Sequence, residues 1–116
     1  GVKILRKRII QMINNNPNNE KIYEVEQFAK DGKHIPIDPG AVFKFRIDKN
    51  TYLTEKRFLS GRELLEIAGK IPPDNFRIDM IVHGGRPRKI GLTEKVDLAE
   101  FGVERFVTMP LDPTEG

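Results

Sequence analysis

The chain has 116 residues, of which 38% are hydrophobic and 32% charged, and its formal net charge is +3. These values are typical of one soluble globular domain, and so small a charge does not by itself indicate nucleic acid. No apolar run approaches the ~20 residues of a membrane-spanning helix. Because the chain has no cysteine, thiolate metal sites and thiol nucleophiles are excluded, and the cytoplasm is the expected compartment.

Residues 2–19 combine basic charge with an apolar stripe. Four cations and no acid occur there, and the cations interrupt the apolar stretch that a signal peptide would need. The apolar residues recur every three or four positions, which predicts a short amphipathic helix that the Asn-rich run 14–19 ends. We expect this helix to pack on the domain or on a second copy of the chain, since four cations are a weak footprint for a membrane surface or nucleic acid. The packing residues would be Leu5, Ile9, Met12 and Ile13.

Residues 21–39 have a mixed pattern. Apolar residues alternate as in a strand at Tyr23, Val25 and Phe28. A turn at 31–33 and an extended edge at 34–37 follow in the chain. We therefore interpret residues 1–40 as a basic N-terminal helix followed by an extended arm that lies across the main domain.

Beyond Gly40 the chain takes the pattern of a sheet with one buried face. Apolar and charged residues alternate over 42–47, which predicts a strand whose buried side chains are Phe43, Phe45 and Ile47. The run 48–50 predicts a hairpin turn in which Asn50 is suited to positive φ. Residues 52–58 would form the return strand.

The next predicted element is a helix with a clear start and end. Ser60 and Glu63 have the spacing of a capping box, in which each side chain accepts a hydrogen bond from the backbone amide of the other residue. Gly69 is suited to a C-terminal cap, and Pro72 ends the element. The apolar face of the helix would consist of Leu64, Leu65, Ala68 and Ile71.

Two longer strands and a short one complete the pattern. Alternation predicts strands over 76–82 and 104–109, with a short strand or turn within 90–98. Their buried side would carry Ile78, Met80 and Phe106. The order strand, strand, helix, strand, short strand, strand places one helix on one face of a mixed sheet, which is an α+β arrangement.

Several motifs in this order resemble one family. They are the sequences Phe-Arg-Ile-Asp at 45–48 and Ser-Gly-Arg-Glu-Leu-Leu-Glu-Ile-Ala-Gly at 60–69, and the runs at 94–98 and 102–108. The element order is that of the β-grasp fold, and the motifs resemble the bacterial multiubiquitin family. The resemblance implies a ubiquitin-like β-grasp domain over 41–109 that acts as a protein modifier, with no catalysis and no cofactor of its own. It also implies activating and conjugating enzymes, a deconjugating protease and a target protein as partners.

Residues 110–116 form a tail without periodicity, which we expect to be extended and loosely held. The resemblance makes Gly116 the conjugation terminus, and a residue without a Cβ suits a carboxylate that must enter a narrow enzyme channel. Ubiquitin-type tails commonly end in two glycines after basic residues, whereas Asp112 and Glu115 are acidic. We expect an activating enzyme to recognise these acids through a basic channel. The alternative is that glycine occurs at this position by chance and the native chain continues.

The sheet face away from the helix is a second candidate site. Alternation places Ile81, Val107 and Met109 on that face, on adjacent strands. An exposed apolar group of this kind is typical of surfaces that bind partner proteins. If the N-terminal arm covered the face, the same residues would belong to the core. Both interpretations stay open at this point.

Two functions of different classes remain. The first is a conjugated modifier, which needs a free Gly116 carboxylate. The second is a ubiquitin-like interaction module that is never activated and assembles through the N-terminal helix or the sheet face. A sulfur carrier with a C-terminal thiocarboxylate fits the long N-terminal segment and the Glu-Gly ending poorly. His34 and His83 lie far apart and no cysteine accompanies them, so no metal site is predicted.

Overall fold

The computed structural model describes residues 21–111. The predicted N-terminal helix with Leu5, Ile9, Met12 and Ile13 lies outside the described residues. The elements in chain order are β1 (Lys21–Glu24), α1 (Val25–Asp31), β2 (Ala41–Ile47), β3 (Asn50–Thr54), β4 (Phe58–Ser60), α2 (Gly61–Ile67), a 3₁₀ turn (Pro73–Asn75), β5 (Phe76–Val82), β6 (Arg88–Ile90), β7 (Lys95–Asp97) and β8 (Val103–Pro110).

Six strands form one mixed sheet in which the last strand of the chain lies in the middle. The strand order is β1-β2-β8-β5-β6, and β3 pairs with β2 as an antiparallel hairpin. β8 runs parallel to β2, which it meets at the pair Ile47 and Phe106, and antiparallel to β5. β4 and β7 form a separate two-stranded sheet. The predicted α+β class is confirmed, as a mixed sheet with two helices.

The core lies where the apolar side of the sheet meets α2. The predicted inward residues are buried on all three long strands, and the ring of Phe45 meets that of Phe106 edge to face at a centroid distance of 6.4 Å. Leu64 and Leu65 supply the helix side of this core. The period-two alternation therefore identified the buried face of each long strand. The inward residues are Phe43, Phe45, Ile47, Ile78, Met80 and Phe106.

The capping box of α2 is confirmed. The Glu63 amide donates to Ser60 Oγ at 3.1 Å, and the Ser60 amide donates to a Glu63 carboxylate oxygen at 2.8 Å. The helix ends at Ile67, earlier than predicted. Gly69 then adopts φ 76°, which turns the chain away, and Ile71 is 68% exposed. The prediction that Ile71 belongs to the buried helix face was wrong for this reason.

The same capping box predicts how stability depends on pH. Lys56, 2.5 Å away, and the Ser60 amide together hold the pKa of Glu63 at about 2, below its ordinary 4.5. Because the carboxylate binds protons less readily in the folded state, its stabilisation is complete above pH 4.5 and is lost as the pH falls towards 2. Glu63→Gln keeps a capping side chain but removes this titration. Chemical unfolding at several pH values should show that the free energy of unfolding falls less steeply with decreasing pH in the variant than in the wild type.

A control for this comparison lies on the same helix. Glu66 is exposed and makes no side-chain hydrogen bond within residues 21–111. Glu66→Gln should therefore follow the wild-type profile. Equal acid slopes for the wild type and Glu63→Gln would show that Glu63 does not contribute to the acid dependence.

Residues 21–40 contribute to the sheet and to the core. β1 pairs with β2 in parallel, and Val25, Ala29 and Ile35 are buried. The predicted strand through Val25 and Phe28 was wrong, since the strand ends at Glu24 and a helix follows. Val25 and Ala29 are four residues apart and face inward, which is helical rather than strand spacing. The predicted extended edge at 34–37 forms no strand either.

An ion pair ties α1 to β2. The Arg46 guanidinium donates two hydrogen bonds to the Glu26 carboxylate, at 2.9 and 2.8 Å. This two-pronged geometry fixes the orientation of both side chains. The division of the chain into segments at residues 40 and 109 stays a prediction. Residues 21–35 pack on the same sheet as the strands that follow.

The β2–β3 turn differs from its prediction in one residue. Positive φ falls on Asp48, at 55°, and Asn50 already belongs to β3. The Asp48 carboxylate accepts from the backbone amide and the hydroxyl of Thr108, at 2.8 and 2.6 Å. These bonds to β8 favour aspartate at the turn despite its strained backbone. The predicted return strand 52–58 is divided into β3 and the start of β4.

Candidate tail exit and interaction face

β8 connects the buried centre of the sheet to the tail. Its middle residue Phe106 is fully buried, whereas Met109 and Leu111 are about half exposed. The strand pairs with β5 as far as Pro110, and the amide of Leu111 still donates to the Asn75 carbonyl at 2.8 Å. The tail therefore starts from a backbone position that is fixed by hydrogen bonds. Its predicted recognition residues Asp112 and Glu115, and the predicted terminus Gly116, lie outside the described residues.

A shallow groove of about 220 Å³ lies beside this exit. Its apolar wall is made by Phe76, Ile90, Leu92 and Leu111. Arg77 and Lys89 add positive charge to the lining, and Asp74 is paired with Arg62 at 3.2 Å. Within residues 21–111, Lys89 has no carboxylate within ion-pair distance. Of the two cations beside the tail exit, Arg77 is paired with Asp79 at 2.9 Å, which leaves Lys89 to face the tail.

The three residues of the predicted interaction face lie on one side of the sheet, with Met109 exposed and Ile81 and Val107 partly buried. Cross-strand neighbours lie on the same side of a sheet, and the register pairs each of the three predicted residues with a charged one. The pairs are Ile81 with Arg105, Val107 with Asp79, and Met109 with Arg77. The structure therefore places Ile81, Val107 and Met109 together on one face of β5 and β8, interleaved with charges.

Asp79 is the charged residue of this face that sequence reasoning missed. Its side chain is held by Arg77, whose Nε donates to the carboxylate at 2.9 Å, and the residue is only 7% exposed. A carboxylate this deeply buried needs such a partner. The sequence could have indicated this residue, because Arg77, Asp79 and Ile81 occupy alternate positions of one strand and so lie on the same face.

The two histidines occupy separate surroundings. His34 stacks on Phe101 with ring centroids 4.5 Å apart, whereas His83 Nδ1 lies 3.1 Å from a Glu104 carboxylate oxygen. Among the described residues, no cluster of three His, Asp or Glu side chains is placed to hold a metal ion. In the same part of the chain, no helix has the length and apolar character needed to cross a membrane.

The mixed sheet and the helix that covers it are those of a ubiquitin-like, β-grasp-like domain. A comparison with protein-family models matches multiubiquitin over residues 43–110, from β2 to the end of β8. The chain belongs to the multiubiquitin family. Neither the curated proteins nor the solved structures compared with the chain give a match.

Proposed function

We propose that the chain is a bacterial ubiquitin-like protein modifier whose Gly116 carboxylate is activated with ATP and conjugated to a target protein. The observation that carries this proposal is the geometry of β8. The strand is anchored at Phe106 between two neighbouring strands and becomes exposed at Met109, so that the tail begins at a rigid base on the surface. Membership of the multiubiquitin family supports the same role.

The activation step would use the carboxylate as a nucleophile. A Gly116 oxygen attacks the α-phosphorus of ATP, pyrophosphate leaves, and an acyl adenylate forms. An enzyme nucleophile then attacks the acyl carbon and AMP departs. The enzymes supply all the catalytic groups, and the modifier supplies an unhindered terminus, because glycine has no Cβ to obstruct the attack.

The partners follow from this chemistry. An activating enzyme, a conjugating enzyme and a deconjugating protease each have to accommodate the acidic tail, so we expect basic side chains in the channels that bind Asp112 and Glu115. The reaction would take place in the cytoplasm, where ATP is supplied. We also infer the full β-grasp arrangement, in which the β2–β3 hairpin, β8, β5 and β6 form the sheet and α2 covers it.

Removing Gly116 should abolish activation. The experiment is mass spectrometry of the full chain and of a Gly116-deleted chain after incubation with ATP and the cognate activating enzyme. Only the intact chain should give an adenylate or a covalent enzyme adduct. Glu66→Gln changes an exposed residue of α2 and keeps the terminus, so it serves as a control for nonspecific loss of the adduct.

Equal behaviour of the intact and deleted chains with a demonstrably active enzyme would disprove conjugation through Gly116. The second candidate function would then apply, namely a ubiquitin-like interaction module that is not activated. The grouping of Ile81, Val107 and Met109 on one face of β5 and β8 favours that candidate. Such a module would use this face, or the predicted N-terminal helix, to assemble with its partners.

A further inference from the structure

A second surface lies on the strands that do not carry the tail. On the outward side of β1, β2 and β3, Ile22 is the cross-strand neighbour of Val42, and Leu53 is opposite Lys44. Ile22 is 52% exposed and Leu53 is 60% exposed, while Val42 between them is buried. Two large aliphatic side chains thus face outward from adjoining parts of one sheet, an arrangement that favours burial against another apolar surface.

The two side chains line a groove, which we call the β1–β3 groove. Its volume is about 700 Å³, and its lining includes Ile22, Glu24, Lys44 and Leu53. An adjoining hollow of about 270 Å³ extends it past Val42 to Glu55. In the described part of the chain, Glu24 and Glu55 have no cation within ion-pair distance. The groove therefore has an apolar floor and one acid in each hollow, and Lys44 lies opposite Glu24 across the strands.

We propose that residues 2–13 of the same chain occupy the β1–β3 groove. Their apolar stripe would cover the two exposed aliphatic side chains, and their four cations, which no acid accompanies, complement the acids of the groove. The apolar floor, and two acids against the one cation Lys44 in the lining, thus favour this occupant over an acidic or purely polar partner.

The length of the connecting segment allows this arrangement. Residues 14–20 separate the stripe from Lys21, and Lys21 immediately precedes Ile22 in the groove. Seven extended residues span up to ~24 Å, which exceeds the roughly 18 Å length of a twelve-residue helix. The stripe can therefore return over the strands, and the short connection gives it a high effective concentration at its own groove.

The experiment uses the absence of cysteine from the chain. Gln11→Cys in the full-length protein provides a single attachment point for a nitroxide spin label. We expect the label to broaden the backbone amide signals of Ile22 and Leu53 several-fold more than those of Phe101. Leu53→Asp should remove this broadening, and Met109→Asp, a matched change at another exposed apolar residue of the sheet, should leave it in place.

The outcomes separate three arrangements. Broadening at Leu53 of the labelled chain at high dilution that Leu53→Asp removes supports the proposal. Broadening that Leu53→Asp leaves unchanged would come from the tether alone and overturns it, as does the absence of broadening in the chain with an unaltered groove. A mixture of isotope-labelled chains without cysteine and spin-labelled chains without isotope tests for a second copy. Broadening that appears only in the mixed sample, and vanishes on dilution, would overturn the proposal and assign the groove to another molecule. None of these readouts depends on conjugation.

Discussion

Replacing Gly61 with alanine should lower the free energy of unfolding by about 3 kcal/mol. A Cβ at this position would lie 2.3 Å from the Gly91 carbonyl oxygen and 3.3 Å from the Ile90 side chain. The obstacle is backbone and cannot rotate away. The Gly61 amide also donates to the Glu94 carbonyl at 3.0 Å, which fixes the start of α2 against this loop. Relief of the clash would break that bond and shift the helix.

Urea unfolding of Gly61→Ala and Gly85→Ala tests this effect. Gly85 also lacks a positive φ, but a Cβ there would meet its nearest atom, the Val82 carbonyl oxygen, at an ordinary 3.5 Å. We therefore expect Gly85→Ala to stay within roughly 0.5 kcal/mol of the wild type. If the two variants were equally stable, the close approach of α2 to the loop after β6 would not exist in solution.

Introducing aspartate at Val25 should destabilise the whole domain by roughly 4 kcal/mol or more. Val25 is 1% exposed and belongs to the same core cluster as the side chains of β2, β5 and β8. The variant loses the buried isopropyl group and places an unpaired carboxylate there. Since small domains are stable by only ~5–15 kcal/mol, a large part of the total would be lost.

Gln27→Asp is the matched control, because it adds the same charge at an exposed position of α1. Its expected cost is about 0.5 kcal/mol, from loss of the hydrogen bond that Gln27 Nε2 donates to Asp31 and from repulsion by that carboxylate one turn away. Hydrogen exchange then distinguishes global from local unfolding in Val25→Asp. If protection were lost only within residues 21–40 while β8 stayed protected, α1 would be a separately unfolding unit and the prediction would be wrong.

The parts of the fold that the sequence predicted are those with a strong local signal. On the three long strands every predicted inward residue is buried, and a capping box marks the start of α2. α1 gives a much weaker signal, because seven residues make only about two helical turns. Two buried positions, Val25 and Ala29, cannot establish a helical period on their own. The predicted strand therefore continued past β1 into the residues that form α1.

Other differences depend on contacts between residues distant in the chain. Asp48 adopts positive φ because its carboxylate bonds to Thr108, and nothing near residue 48 indicates that partner. The burial of Asp79 likewise involves a distant strand, because its neighbour across the sheet is Val107 of β8. For the candidate site, alternation placed Ile81, Val107 and Met109 on one face. The charged residues between them could be identified only from the register of β5 against β8.

The central position of β8 has a consequence for synthesis on the ribosome. β2 and β5 lie on either side of β8, and only through β8 are they joined in one sheet. A nascent chain that lacks β8 has the hairpin β2–β3 and the pair β5–β6, with no strand to connect them. Translation must therefore pass Pro110, and the polypeptide must emerge that far from the exit tunnel, before the domain can close. Until then its apolar strands are available to chaperones.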